Sequence, residues 1–251
     1  MSSDEKHRVR WPWVLLVVLL ILAALVVAAE VLARSILPGV VRGIVIDQLE
    51  LPADQQLEVE TDGVVLAQLI GGQLNELHLS SESVTVGGVT GAVDVTATGV
   101  PLRGGDLGDL QGTVRIDQDQ FTALVTASDL PIDQVAFAAP DVTASGSFSV
   151  LGMLIPVELT VRPGADAGDL LLTPVELQVA GLALNADEIA DRFGDAAAQL
   201  AQPQRVCIAD QLPAGLTVTG LSIEGSSAVI DFDVDGSIAT DDAMQANGVC
   251  D

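Results

Sequence analysis

The spacing that most invites chemistry lies near the C-terminus, in Asp231-Phe232-Asp233-Val234-Asp235-Gly236-Ser237-Ile238, continuing to Asp242. Read as a loop, it has carboxylates at the first, third, fifth and twelfth positions, Gly at the sixth and an aliphatic at the eighth. That is calcium-loop spacing, with Asp in place of the usual bidentate Glu. Such ligands converge only if the chain coils around the ion. Here Ala228, Ile230, Phe232 and Val234 alternate with Asp231 and Asp233, which is the period of a strand. A strand would splay Asp231, Asp233 and Asp235 along one solvated face. Calcium at these residues and Asp242 is therefore the weaker reading, and no cofactor is expected.

Catalytic constellations are sparse. A Ser-His-acid triad would depend on His78, because His7 precedes a long apolar run. His78 sits in Leu77-His78-Leu79, a strand-like stretch, and no Gly-x-Ser-x-Gly occurs. The Gly-rich stretches lack the Lys-Ser/Thr of a phosphate loop and the strand–helix context of a dinucleotide fingerprint. Carboxylates for glycoside chemistry abound, but no Trp or Tyr follows Trp13 to stack a sugar ring. A non-enzymatic role is expected. Cys207 and Cys250 are the only cysteines. Outside the cytoplasm an isolated pair is most simply a disulfide, with two buried free thiols as the alternative. The bridge would add about 4 kcal/mol by loop entropy.

The elements that must position these residues follow from composition and pattern. The chain has 251 residues, 49% hydrophobic, with a formal net charge of −25. That much aliphatic content excludes intrinsic disorder. Beyond Gly43 there are five Arg, no Lys and 32 acids. Such a balance removes the basic face that nucleic-acid binding needs.

Lys6, Arg8 and Arg10 precede an uncharged run from Trp11 to Ala29. At about 1.5 Å per residue this run matches a hydrocarbon core of roughly 30 Å. Trp11 and Trp13 fall where an interfacial aromatic belt would lie. A retained single-pass anchor is the favoured reading, with residues 1–10 as a cytoplasmic basic tail. Val27-Ala28-Ala29 would also serve as a signal cleavage site, giving a secreted protein. Both readings export one domain, residues 30–251.

That domain reads as α+β: a long curved antiparallel sheet packed on a few helices, after one N-terminal transmembrane helix. Alternation marks strands at Val89–Ala97, Phe121–Ala127, Val142–Val150, Met153–Val161 and Ala228–Val234. Gly87-Gly88, Gly104-Gly105, Gly152 and Pro163-Gly164 read as turns. The first helix continues from Glu30 to about Gln48, interrupted at Pro38-Gly39. Asp62 is placed to cap a short helix bearing Val65, Leu66, Leu69 and Ile70, stopped by Gly71-Gly72. A turn or short helix follows Asp129, with Pro131 near its start. Ile189, Phe193, Ala197 and Leu200 form one helical stripe.

The order of these segments resembles a known family. After the anchor come Thr61-Asp62-Gly63 and the Val64–Gly71 helix, then a strand pair ending in Gly99-Val100-Pro101-Leu102. Later stand Cys207-Ile208-Ala209-Asp210-Gln211-Leu212-Pro213-Ala214-Gly215-Leu216, a last strand pair and a C-terminal Cys. The pattern, over roughly residues 10–251, is similar to that of the actinobacterial envelope family of phospholipid-binding proteins typified by lipomannan elongation factor A. The resemblance implies a periplasmic, membrane-anchored protein that binds phospholipid, inositol lipids included, in a tubular lipid-binding fold. In mycobacterial members it implies help in extending lipid-linked mannans. It supplies no catalytic residues.

Burial of acyl chains, at about 0.8 kcal/mol per CH₂, asks for an apolar groove rather than polar chemistry. Leu66, Leu69, Ile70, Phe121, Ala123, Val125 and Phe148 are the candidate lining, with Ala127, Ala144 and Gly146 as small neighbours. Arg103 is the candidate for an anionic head group. A closed ordinary core is the competing reading, and the protein would then be an envelope scaffold or interaction protein with partners the sequence does not name. The strongly negative domain would be repelled by anionic membranes, so a tether is needed to hold it near the bilayer.

Overall fold

The computed structural model describes residues 11–48, 51–52, 55–86, 89–127, 132–150, 153–185 and 202–250. Helix α1, Trp11–Gln48, opens the fold. Strand β1, Glu58–Thr61, and the short helix α2, Val65–Gly71, follow. Then come β2 (Gln73–Val86), β3 (Val89–Pro101) and β4 (Leu110–Asp117). Helix α3, Gln118–Ala127, leads to β5 (Gln134–Ala138), β6 (Asp141–Val150), β7 (Met153–Asp166), β8 (Asp169–Val179) and β9 (Leu182–Asn185). The chain closes with β10 (Gln204–Val206), β11 (Leu216–Glu224), β12 (Ser227–Val234) and a short helix α4, Asp242–Gln245.

The protein is α+β with antiparallel pairing throughout, as expected. Its strands are divided between two open sheets. The first has the order β1-β2-β3-β4-β12-β11; the second has β10-β8-β7-β6-β5, with β9 on β8. The sheets adjoin where β11 lies against β7 and β8. Helix α3 touches β5 of the second sheet and β3 and β4 of the first.

Cross-strand register puts opposed side chains on the same side of a sheet. In the first sheet Val218 opposes Phe232, which opposes Gly112. An apolar face results, continued by Leu221, Ile230 and Val114. The apolar positions of β11 shift phase between Val218 and Leu221. A bulge at Val218/Gly220 absorbs the shift and keeps both halves on one side.

The best-packed core sits where α1 meets the first sheet. Leu37, Val65, Leu74 and Leu77 are buried together, with Ala33, Val41, Val59, Leu69, Leu79 and Val100 against them. This packing explains one difference from the sequence expectation. Helix α1 runs unbroken through Pro38-Gly39, because Ala33, Leu37 and Val41 hold the turns on both sides of Pro38 against the domain. The missing amide proton of Pro38 removes one backbone bond without ending the helix.

Other expectations need correction. Phe121–Ala127 is helix, not strand. Phe121 and Val125 are four residues apart, so the stretch satisfies the helical period as well as the period of two. Thr122 Oγ1 donates to the Gln118 carbonyl at 2.8 Å within the first turn. Pro163-Gly164 lies inside β7, paired with Leu172 and Leu171. The hairpin turns instead at Ala167-Gly168, with φ of 54° and 90°. A proline, fixed near −65°, cannot adopt that left-handed turn. Gly104-Gly105 does lie in a connection, with positive φ at both residues. Gly87-Gly88, Gly152, the turn after Asp129 with Pro131, and the stripe Ile189, Phe193, Ala197 and Leu200 lie outside the described residues.

Cys207 and Cys250 form a disulfide, with Cα atoms 5.8 Å apart. It ties the segment ahead of β11 to the C-terminal tail.

Candidate functional site

The second sheet is amphipathic in a way its strands show only when paired. Val142 opposes Val161, Ala144 opposes Leu159 and Gly146 opposes Val157. Leu159 in turn opposes Leu177, and Val157 opposes Val179. Val135 opposes Ala144 at one edge, and Leu182 opposes Val179 at the other. One side is therefore aliphatic across five strands. The opposite side carries Thr143, Ser145, Glu158, Thr160, Glu176 and Gln178, by the same registers. A shift at Thr160/Val161 moves the apolar phase of β8 from Leu177 and Val179 to Leu170, Leu172 and Pro174.

Several described residues of this aliphatic side are open to solvent. Among the described residues of the second sheet, only Val135 is fully buried. Leu159 remains 38% exposed, Met153 65% and Leu182 69%. Ala144 and Gly146 place small residues between Val135 on one side and Leu159 and Val157 on the other. A face of this kind can cover acyl methylenes, and the gain scales with the apolar area removed from water.

The residues proposed from sequence fall in three places. Phe121, on α3, meets Phe137 of β5 with ring centroids 5.4 Å apart and planes at 56°, so it joins the edge of the aliphatic face. Ala123 is exposed on the same helix. Val125 continues α3, and Phe148 pairs with Ile155 in the β6–β7 register. Leu69 packs into the core under α1, Leu66 is half-buried beside it, and Ile70 is 74% exposed. These three therefore belong to α2, on the first sheet, apart from the aliphatic face of the second. Arg103 is exposed in the β3–β4 connection, its guanidinium over Gly72 at the end of α2. The other described arginines beyond Gly43 each face a carboxylate: Arg115 with Glu224, Arg162 with Asp141 and Arg205 with Asp166.

Sequence reading missed two features. Alternation at Met153–Val161 was legible as a strand, but the contribution of Leu159, Leu177 and Leu182 to one open face needs the register. The second is the cap of α2. Asp62 does not cap it, and its N-cap Val64 has no side-chain bond. Instead the Glu30 carboxylate reaches across from α1 and accepts from Val65 N at 2.9 Å and Leu66 N at 2.8 Å. Arg34 steadies Glu30 at 2.9 Å and also donates to the Gly63 carbonyl. A carboxylate 35 residues upstream leaves no local capping pattern to find.

The remaining polar candidates are spread. His78 Nδ1 lies 3.2 Å from Thr96 Oγ1, and Nε2 lies 3.2 Å from Asp94 Oδ2, a cross-strand arrangement on β2 and β3. Asp231 and Asp233 lie along β12, as strand alternation requires. Asp231 accepts from Thr113 Oγ1 at 2.8 Å. Asp235 caps the following turn, accepting from Ser237 N at 2.9 Å and Ser237 Oγ at 2.6 Å. These two bonds hold its carboxyl below the usual range. Asp242 begins α4. Among the described residues, no three His, Cys, Asp or Glu side chains converge as metal ligands. A cleft of ≈ 740 Å³ lies between Pro52, Gln55, Gln56 and Glu58 on one side and β2–β4 on the other. Its walls include Gln55, Ser81, Glu82, Asp94 and Arg115, the wrong chemistry for an acyl chain.

The fold is thus α+β, with an aliphatic, partly exposed face on the second sheet and a helix long and apolar enough to cross a membrane. The LmeA-like phospholipid-binding family matches residues 28–232, most of the chain, and the chain belongs to that family. No curated protein and no solved structure matches it.

Proposed function

We propose that the protein is a single-pass, membrane-anchored phospholipid holder whose domain lies outside the cytoplasm. In this reading it supplies lipid, inositol-containing species among them, to envelope lipid or lipoglycan assembly. The observation that carries the reading is the open aliphatic face of the second sheet, joined to membership of a phospholipid-binding family. The ligand's acyl chains lie along β6, β7 and β8, over Ala144 and Gly146 and against Leu159 and Leu177. Its head group stays at the wet rim. In this reading the site holds its ligand without bond chemistry, and the residues named along it, Ala144, Gly146, Leu159 and Leu177, are all apolar. The basic flank before Trp11 supports a cytoplasmic N-terminus.

The test is lipid extraction from the full chain purified in a maltoside detergent, followed by mass spectrometry. About one phospholipid per chain is expected, retained through washing. A control carrying residues 1–48 on an unrelated soluble domain should retain none. Equal lipid in both samples would refute the reading.

A further inference from the structure

The bonds from α1 to α2 fix more than a helix cap. Glu30 is the first charged residue after the apolar run, so it marks the outer edge of the spanning segment. Its carboxylate holds Val65 N and Leu66 N, and Arg34 holds the Gly63 carbonyl. Helix α2 therefore starts at the level where α1 leaves the membrane. From there β2 runs alongside α1 and away from the bilayer: Arg42 donates to the Gln55 carbonyl, and Gln55 Nε2 reaches Ser81 Oγ at 3.1 Å. The far end of α2 is tied to the β3–β4 connection, where Leu102 N donates to the Gly72 carbonyl at 3.0 Å. Seven residues of helix span only about 10 Å. The whole rim is thus within reach of the head-group layer.

This rim carries large apolar side chains that stand open to solvent. Val64 is 57% exposed, Ile70 74% and Leu102 38%. Beside them Arg103 faces no carboxylate among the described residues. We infer that Val64, Ile70, Leu102 and Arg103 form a membrane-docking rim, seated in the outer-leaflet head groups next to the spanning helix. The occupant is the bilayer itself, because the rim is continuous with α1 and bonded to it at the point of exit. Arg103 supplies a cation for lipid phosphate, whereas nearby Arg34 is engaged by Glu30 and the Gly63 carbonyl. Asp62, Asp106 and Asp109 lie on the same connections and limit how deep the rim can sink. The domain's acidic remainder is held off the surface, so the rim fixes its orientation. This inference rests on α1 being a retained anchor.

The experiment uses the full chain in vesicles of phosphatidylcholine and phosphatidylglycerol at seven to three. Trp11 and Trp13, the only tryptophans, report on the anchor through quenching by brominated lipid. A polarity-sensitive dye on Ile70→Cys reports on the rim, and the same dye on Leu154→Cys, 72% exposed on the second sheet, is the control. Thermal unfolding of both variants should match the parent, since both side chains are solvent-facing. Quenching by shallow spin-labelled lipid is expected at Ile70 and absent at Leu154, and Arg103→Gln should lower it at least twofold. Quenched tryptophans with an unquenched Ile70 dye would overturn the docking rim and leave the anchor standing. Unquenched tryptophans would overturn both.

Discussion

Replacing Leu159 and Leu182 together by Asn separates lipid holding from folding. Leu159 keeps 38% of its surface in water and Leu182 keeps 69%. Their open portions together equal about one whole leucine side chain, worth about 2 kcal/mol when covered by an acyl chain. Their buried portions come to a similar amount, so the fold loses about 2 kcal/mol as well. The double variant should therefore bind a fluorescent phospholipid about 30-fold more weakly. Its melting temperature should fall by about 4–8 °C. The matched control is Leu74→Ala. Leu74 is 1% exposed in the core under α1, and its truncation costs about 2–5 kcal/mol of stability. It touches no part of the aliphatic face, so its affinity for lipid should not change below its melting transition. Titration of detergent-free full chain in nanodiscs, with melting followed by circular dichroism, gives both numbers. Unchanged lipid affinity in a folded Leu159→Asn, Leu182→Asn variant would refute the placement of acyl chains on the second sheet.

Three other outcomes are expected. Gly112→Val should be strongly destabilising, because even a Cβ there would lie 2.4 Å from the Phe232 ring and 2.9 Å from the Asp94 carbonyl; a melting curve equal to the parent's would disprove the close packing. Cys207→Ser opens a bridge between residues 43 apart and should cost about 4 kcal/mol, seen as a drop of roughly 10 °C under non-reducing conditions. The depressed carboxyl of Asp235 makes the turn at Gly236–Ala239 stable above the ordinary carboxylate range, and that contribution is lost as pH falls through the lowered value. Carboxyl-carbon NMR should show Asp235 titrating below the ordinary carboxylate range, and Ser237→Ala should bring it back towards that range.

Much of this architecture could be read from the residues before any coordinates. The β6–β7 hairpin, β12 and the α2 helix lie where period and punctuation place them. What escaped has a common cause: it depends on partners distant in sequence. The α3 stretch carries both a period of two and an i, i+4 pair, and its packing on β5, where Phe121 meets Phe137, is not visible in the local pattern. The bulges in β8 and β11 are phase changes that a single strand shows as lost alternation. Glu30 caps a helix it does not adjoin. The candidate site followed the same rule. Ala144 and Gly146 were visible as small residues on a strand, whereas the openness of the face they share with Leu159 and Leu177 is a property of the assembled sheet.

Charge distribution explains how an acidic domain can serve a lipid. The 32 acids beyond Gly43 would repel an anionic leaflet over most of the surface, with an interaction that decays over roughly 8 Å at physiological ionic strength. Free in solution, such a domain would spend its time away from the bilayer. In the proposed reading a covalent anchor replaces that encounter with a fixed distance, and the bonds from Glu30 to α2 make it a joint rather than a flexible leash. Repulsion then acts as an orienting force: it turns the acidic faces outward and leaves the apolar rim beside α1 towards the lipid. In the proposed reading, breaking the joint should therefore harm lipid loading without harming the binding face. Glu30→Ala keeps the anchor and the second sheet intact but frees α2 and the Gly63 turn from α1. Lipid presented in a small micelle should still bind this variant with parental affinity. Transfer from vesicles should slow several-fold, and equal transfer rates for parent and variant would show that the joint has no part in loading.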